Sequence, residues 1–259
     1  MKTTLLTLAA LLFTANILLA QNVHFTTSGT IEYQKSVNTF AIIKKLYGSD
    51  MDGFMQQAFD SYKKSQPQFR ILKSTLDFKD DKTMYTPIPA DVAAPSGFFN
   101  MQMTEQNNTI YTDLATHTST AQKLVFEQTF LVKDSLRKIK WKITDETRDI
   151  AGYPCRRANG ILMDSIYVVA FYTDKIPVSG GPESFSGLPG MILQVALPHE
   201  NLAWVATKVT DTTVPVNPIA PPKKGKGVNN KQLYDTLLSV FKNRGNVEQI
   251  NFVLKQYLL

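Results

Sequence analysis

Hydrophobic and polar positions alternate along much of the chain, and this alternation predicts a strand-rich middle. The clearest case is residues 138–143, where Ile139, Trp141 and Ile143 share one face and three lysines share the other. This pattern is typical of a strand with one buried and one wet face. By contrast, residues 166–172 are apolar on both faces, which predicts a strand that is covered on both sides.

Other strands are predicted from weaker alternation and from the turn residues between segments. Residues 24–33 are predicted to form an edge strand. Residues 68–78 and 82–87 flank Lys79, Asp80 and Asp81, which is typical of a hairpin. Further predicted strands cover 109–114, 123–132, 191–197 and 202–209, and the Pro-, Ala-, Ser- and Gly-rich stretch 88–100 is predicted to be a loop.

Two parts of the chain show the spacing of amphipathic helices. Residues 51–64 place apolar side chains three and four positions apart, with Asp50 or Asp52 as a candidate cap. Residues 214–228, with four prolines and three lysines, predict a stiff linker. The two apolar stripes that follow predict a helical hairpin at 229–259, in which Gly245 ends the first helix and Asn246 caps the second.

These elements together predict an α+β fold. We expect a twisted or curved antiparallel β-sheet, half-barrel-like, with one helix on its N-terminal side and the helical hairpin at its end. The predicted divisions are a β-rich domain at 21–213, the linker at 214–228 and the hairpin at 229–259.

The first 20 residues have the pattern of a secretory signal peptide. Lys2 gives a positive start, an interrupted apolar run follows, and Ala20 precedes Gln21. The run is shorter than the roughly 20 apolar residues of a membrane-spanning helix, and no cysteine follows it for lipid attachment. We expect cleavage between Ala20 and Gln21, a periplasmic or secreted protein that is not a lipoprotein, and no transmembrane segment after cleavage.

The net charge of +6 comes from the two ends of the chain. Residues 21–222 contain 20 basic and 20 acidic residues, whereas 223–226 carry three lysines and 227–259 carry four basic and two acidic residues. Nucleic-acid binding usually needs a basic face on the folded domain. The sequence therefore argues against a nucleic-acid partner and leaves a basic C-terminal stretch.

Most signatures of catalytic and metal sites are missing. His24, His117 and His199 are scattered without ligand spacing, and no Cys pair is available for zinc. The one cysteine, Cys155, precedes Arg156 and Arg157, and neighbouring cations would favour a reactive thiolate. A small apolar residue in a strand is the favoured interpretation. We expect neither a metal nor another cofactor, and no catalytic residue is proposed.

The segment 176–190 joins two apolar strands and is dense in glycine and proline. Leu188-Pro189-Gly190 suits a type II turn in which Gly190 takes a positive φ. Two interpretations stay open: a rigid crossover between strands, or a binding loop on a rigid sheet. The candidate binding residues are Tyr172, Pro177, Gly181, Pro182, Phe185, Gly187, Leu188, Pro189 and Gly190.

This segment also carries a resemblance to a known family. Residues 186–193, Ser-Gly-Leu-Pro-Gly-Met-Ile-Leu, resemble the signature of the GLPGLI family, exported proteins of Gram-negative bacteria, with Met191 where the family usually has Leu. Further similar blocks lie at 141–147, at 152–158 and at 170–182, where Phe171 replaces a more usual Trp. The resemblance implies an envelope location and a β-rich fold, and it implies no activity, substrate or catalytic residue.

Three classes of function follow from these expectations. The first is a non-enzymatic binding module whose concave sheet holds an apolar ligand or chain segment. The second is an interaction subunit that docks an outer-membrane transporter or assembly through an envelope protein partner. The third is an enzyme of unrecognised type. The pattern leaves the oligomeric state open.

Overall fold

The structure is a computed structural model that describes residues 25–48, 51–89, 99, 102–104, 108–212 and 218–259. The described residues form twelve strands, four α-helices and two short 3₁₀ helices, so the predicted α+β class is confirmed. The predicted signal peptide, its cleavage site and His24 lie outside the described residues, as does most of the predicted loop 88–100.

All twelve strands of the described part of the chain belong to one open sheet. Its order is β12-β6-β5-β4-β3-β2-β1-β11-β10-β9-β8-β7, and every neighbouring pair is antiparallel except β12 with β6. The strands are β1 Ser28–Asn38, β2 Phe69–Lys79, β3 Lys82–Ile88, β4 Thr109–Asp113, β5 Thr118–Val125, β6 Gln128–Ser135, β7 Lys142–Ile150, β8 Tyr153–Leu162, β9 Ile166–Thr173, β10 Met191–Leu197, β11 Leu202–Asp211 and β12 Lys226–Val228.

The four α-helices are α1 Thr39–Tyr47, α2 Gly53–Ser65, α3 Asn230–Phe241 and α4 Val247–Leu258. Predicted helix α2 is confirmed, and Asp52 caps it by accepting a hydrogen bond from the Met55 amide at 2.9 Å. The predicted hairpin of α3 and α4 is also confirmed, with Asn246 as the cap of α4. The prediction that Gly245 ends α3 is wrong, because that helix ends at Phe241.

Three strand predictions need correction. Strand β1 begins at Ser28 and lies between β2 and β11, so it is a central strand and not an edge strand. The predicted strand 123–132 is two strands, because the chain reverses at Phe126 and Glu127 between β5 and β6. Alternation alone does not reveal this turn, since neither residue is a usual turn former.

The third correction concerns residues 138–141, which pair with no strand among the described residues; β7 begins only at Lys142. The predicted difference between faces still holds for Trp141, because its ring packs over Gly160 of β8, where an added Cβ would lie 2.9 Å away. Ile143, however, is exposed. The alternation therefore predicts the covered side for Ile139 and Trp141 but not for Ile143, and it does not predict pairing in the sheet.

Helix α4 contacts distant parts of the sheet, which shows how strongly the sheet curves. The Tyr257 carbonyl accepts a hydrogen bond from Lys123 on β5, and the Gln256 side chain donates to Glu200, just before β11. Strands β5 and β11 are five strand intervals apart, roughly 24 Å in a flat sheet. A helix is only about 10 Å wide, so the sheet must curve around α4.

The hairpin packs into the same core as the sheet. Leu237 of α3 and Phe252 of α4 belong to one buried cluster with Ile31 of β1. Lys45 of α1 lies 4.5 Å from the centre of the Phe252 ring. Strand β12, within the predicted linker, pairs with β6 and joins the end of that linker to the sheet. No helix of the described residues is long and apolar enough to span a membrane.

Candidate ligand-binding groove

The segment 174–190, between β9 and β10, folds back over the concave face of the sheet. Gly180 lies against Thr83 of β3, and the Trp141 indole N–H donates to the Ser186 carbonyl at 3.0 Å. At the start of β10, the Tyr33 hydroxyl donates to the Ile192 carbonyl at 2.6 Å. These contacts anchor the segment to both halves of the sheet, and we call it the plug loop.

The candidate binding residues lie in the plug loop, except for Tyr172 at the end of β9, and they fall into an exposed and a buried group. Those that are exposed are Pro177, Gly187 and Pro189. Those that are buried are Tyr172, Gly181, Pro182, Phe185, Leu188 and Gly190. The ring of Phe185 packs edge-on against Trp204, with centroids 5.7 Å apart. This arrangement favours the rigid crossover, and the binding role of these residues stays a prediction.

Gly190 is required by its backbone and by its surroundings. Its φ is 146°, and an added Cβ would lie 2.1 Å from the Thr173 carbonyl oxygen. The predicted positive φ is therefore confirmed, but the type II turn is wrong. The Gly190 N–H donates to the Leu188 carbonyl at 2.8 Å, which makes a three-residue turn, because the Met191 N–H bonds to Ile176 instead.

A buried ion pair fixes the middle of the plug loop. The Lys35 ammonium lies 3.8 Å from the Glu183 carboxylate, and both side chains are buried. Asn108 donates to the same carboxylate at 3.5 Å. Burial, and then the charge of Glu183, raise the pKa of Tyr85 well above its usual range. Glu183 has φ 51°, a strained conformation that is retained where its surroundings determine it.

A groove of about 410 Å³ lies beside the helices, and no plug loop residue is part of its described lining. This volume is within the range of roughly 300–1,000 Å³ that is usual for small-molecule sites. The lining comes from α1, the 3₁₀ helix 102–104, the β5–β6 turn and the α3–α4 hairpin. The lining residues are Leu46, Tyr47, Met103, Phe126, Phe241, Arg244, Gln249, Ile250, Val253 and Tyr257.

Three aromatic rings form one wall of the groove. Phe126 lies 5.7 Å from Phe241 and 5.9 Å from Tyr257, and the latter two rings stack at 5.8 Å. Phe126 is 42% exposed and has φ 54°. A positive φ is rare for a bulky residue, and such strain is often found at functional positions. The β5–β6 turn thus holds an apolar ring at the edge of the groove.

The polar groups of the groove are few. Gln249 is held at both ends of its amide, because its Nε2 donates to the Leu46 carbonyl and its Oε1 accepts from the Asn246 amide. Burial raises the pKa of Tyr257, so this phenol stays neutral at physiological pH. Arg244 is the one charged side chain in the described lining, and it is exposed.

Two cations, the buried Lys123 and the half-buried Arg137, lie beneath the end of α4. Lys123 donates to the carbonyls of Tyr257 and Leu258, both at 3.3 Å, and Arg137 also donates to Leu258. Burial, followed by the charge of Arg137, lowers the pKa of Lys123 to about 7. Ser184 of the plug loop lines a small cavity with both cations. The plug loop and α4 therefore meet at this cluster.

Cys155 is buried, and burial raises its thiol pKa to about 12, so it is not a reactive thiolate. The two following arginines are engaged elsewhere, Arg156 with Asp145 at 3.7 Å and Arg157 with Glu146 at 2.5 Å. The favoured interpretation of Cys155 is confirmed. Within the residues that the structure describes, no three His, Cys, Asp or Glu side chains gather as metal ligands.

Sequence reasoning found only part of the groove. The helical stripes predicted for the hairpin contain Phe241, Ile250, Val253 and Tyr257. Helix α1 and the β5–β6 turn were not predicted, so Leu46, Tyr47 and Phe126 were missed. The sequence signal for a turn at Phe126 is the pair of polar residues that follows it, Glu127 and Gln128, after an apolar run. This signal is too weak to identify a turn.

Comparison with known proteins supports the fold alone. A family model described as a protein of unknown function (Porph_ging) matches residues 161–194, which contain β9, the plug loop and the start of β10. Two structures of PNGF-II, solved in different space groups, are similar at 15% and 14% identity, each with a TM-score of 0.50. They cover 81% and 80% of this chain, which spans about a third (32%) of their length. Comparison with curated proteins gave no match.

Proposed function

We propose that this protein is a non-enzymatic binding module of the cell envelope that holds an apolar ligand in the groove beside the helical hairpin. The observation that carries this proposal is the groove itself. It has about 410 Å³ of space and is lined mainly by aliphatic and aromatic side chains from four separate elements. Sites of this kind bury most of a small apolar ligand, with few polar groups to orient it.

The proposed location rests on the sequence. The apolar run before Ala20 supports cleaved export, and the resemblance of residues 186–193 to the GLPGLI signature supports an envelope protein. We expect the mature protein to begin at Gln21. Intact-mass measurement of the protein purified from its own cells tests this, and a mass that includes Met1–Ala20 would contradict it.

Native mass spectrometry tests the binding proposal. Protein purified from its own envelope should carry an added mass that solvent extraction removes, and protein refolded in clean buffer should lack it. Both preparations should then bind a fluorescent fatty-acid probe. Ligand-free spectra from both sources, together with no probe binding, would overturn the proposal.

That negative outcome would favour the interaction subunit, for which one observation speaks. Phe69 and Ile71 of β2 and Ile88 of β3 are between 42% and 50% exposed. The register pairs Lys73 with Ile88, so the three apolar side chains share one face of the sheet. Adjacent exposed apolar side chains of this kind are frequent at protein contacts. A stoichiometric membrane-protein partner in a cross-linked pull-down, lost in Ile71→Lys, is the expected result for this second candidate.

A further inference from the structure

We infer that the ligand of the groove is a single-chain anionic amphiphile, whose head group pairs with Arg244 and whose chain lies against the aromatic wall. This inference rests on the proposed function, since it names the ligand class of the same groove. Three observations support it: the charge of the described lining, the polar side chains of the lining that can still bind a ligand, and the volume of the groove.

The charge of the described lining is positive. Arg244 is the one charged residue of the described lining, and no acidic residue contributes to it. A guanidinium stays protonated at all physiological pH values and presents five N–H donors in a fixed plane. This geometry matches the two oxygens of a carboxylate or phosphate, which it binds through paired hydrogen bonds. An anionic head group is therefore the complement of this groove.

Arg244 is positioned and available. It lies in the turn between α3 and α4, where its amide donates to the Phe241 carbonyl at 2.8 Å. Its side chain is exposed, and it forms no ion pair with any of the described residues. The amide of Gln249, the other strongly polar side chain of the lining, is already bonded on both sides. Tyr47 and Tyr257 add neutral hydroxyls to the described lining, so the guanidinium is its one charged donor for a head group.

The space and its walls define the rest of the ligand. About 410 Å³ lies near the lower end of the usual range for small-molecule sites, which suits one acyl chain better than the two chains of a phospholipid. Besides Arg244, the described lining offers apolar side chains for a chain to lie against, among them Phe126, Phe241 and Val253, and the two Phe rings lie 5.7 Å apart. Each methylene buried there should strengthen binding about fourfold. Chain and head group together predict an amphiphile with one tail.

The experiment compares three probes below their critical micelle concentrations: dodecanoate, dodecyl phosphate and the uncharged methyl dodecanoate. The proteins are the wild type, Arg244→Gln and Lys242→Gln. The Lys242 variant removes the same charge from the same turn, at a residue that does not line the groove. Both substituted side chains are exposed, so neither variant should unfold.

The wild type should bind dodecanoate at least about tenfold more tightly than methyl dodecanoate, the gain expected for one charge-assisted contact. Arg244→Gln should remove this difference and leave methyl dodecanoate unchanged, whereas Lys242→Gln should retain it. The tighter of dodecanoate and dodecyl phosphate identifies the source of the anionic group. Equal binding of dodecanoate and its ester by the wild type would overturn the inference while leaving the groove function intact. Binding of none of the probes would overturn both.

Discussion

The side chain of Gln249 joins two helices that lie 203 residues apart, because its Nε2 donates to the main-chain carbonyl of Leu46 at the end of α1. The same side chain completes the capping box of α4, in which its Oε1 accepts from the Asn246 amide at 3.0 Å. One residue thus starts α4 and fixes it to α1. Leu46 and Gln249 both line the groove, so this contact sets the distance between two of its walls.

Gln249→Ala should lower the free energy of unfolding by about 1 kcal/mol more than Gln232→Ala. Gln232 completes the same capping box at the start of α3, with Asn229, but its side chain makes no hydrogen bond to another helix in the described part of the chain. The difference therefore measures the bond to Leu46, which should contribute about 0.5–1.5 kcal/mol. Urea unfolding of both variants provides the measurement. Equal losses would mean that the inter-helix bond contributes nothing.

Gly190→Ala should destabilise the fold by clearly more than Gly152→Ala. Both glycines have positive φ, 146° and 84°, but an added Cβ at Gly152 has no atom within 4 Å. Gly152→Ala should therefore lose only the backbone term of about 1–2 kcal/mol. Gly190→Ala adds a clash with the Thr173 carbonyl, which cannot move without disturbing β9. Similar losses in thermal unfolding would contradict the close approach of the two strands.

The pair of Lys35 and Glu183 should behave as a unit. Lys35→Met or Glu183→Gln alone leaves a buried, uncompensated group, which should lower the free energy of unfolding by about 3–5 kcal/mol. The double variant should be more stable than the sum of the two losses predicts, because neither charge remains. A double-mutant cycle by denaturant unfolding measures this coupling. Additive losses would show that the two side chains are not coupled across 3.8 Å.

Lys123 should make stability rise with pH above neutrality. Its pKa is lowered to about 7 by burial, from 10.5 in the unfolded chain. Between these two values the unfolded state binds more protons than the folded state, so raising the pH favours folding. From pH 7 to 8.5 the free energy of unfolding should increase by about 1–2 kcal/mol, given 1.36 kcal/mol per pKa unit.

Lys123→Met provides the control for this pH dependence. The variant should lose the increase between pH 7 and 8.5 and should equal or exceed the wild type in stability at pH 7. This window lies below the ordinary pKa of about 10 for tyrosine, so buried Tyr33 and Tyr85, whose pKa values are raised, do not interfere. An unchanged pH profile in the variant would show that Lys123 is charged and fully compensated in the folded state.

The elements that sequence reasoning found are those bounded by clear local signals. The hairpin of β2 and β3 has Asp80 and Asp81 at its turn, and α4 begins at a capping asparagine. Helix α1 also begins at a capping asparagine, but no turn residues separate this helix from the strand before it. Asn38 is both the last residue of β1 and the cap of α1. The repeat of buried side chains therefore changes from every second residue to every 3.6 residues with no glycine or proline between strand and helix. A stretch of sequence that includes both the end of β1 and the start of α1 shows neither the strand repeat nor the helix repeat clearly.

The groove could not have been predicted as a site. Its lining is contributed by residues from Leu46 to Tyr257, and these meet only because the sheet curves around α4. The plug loop presents the opposite case, since its glycines and prolines mark it clearly in the sequence. Those residues are needed where the chain packs closely, as at Gly181, whose added Cβ would lie 2.8 Å from Ile192. The glycine and proline content of the plug loop therefore predicted an unusual backbone there, but it did not predict what the loop does.

Filling the groove tests the central claim most directly. Val253→Trp places a large ring in the groove, whereas Val247→Trp places the same ring on the same helix at a side chain that is 75% exposed and lines no part of the groove. A fluorescent fatty-acid probe is titrated into both variants and the wild type, with circular dichroism to confirm that each is folded. The groove account predicts that Val253→Trp weakens binding at least about tenfold, or 1.4 kcal/mol, and that Val247→Trp binds as the wild type does. Equal binding by all three folded proteins would contradict it.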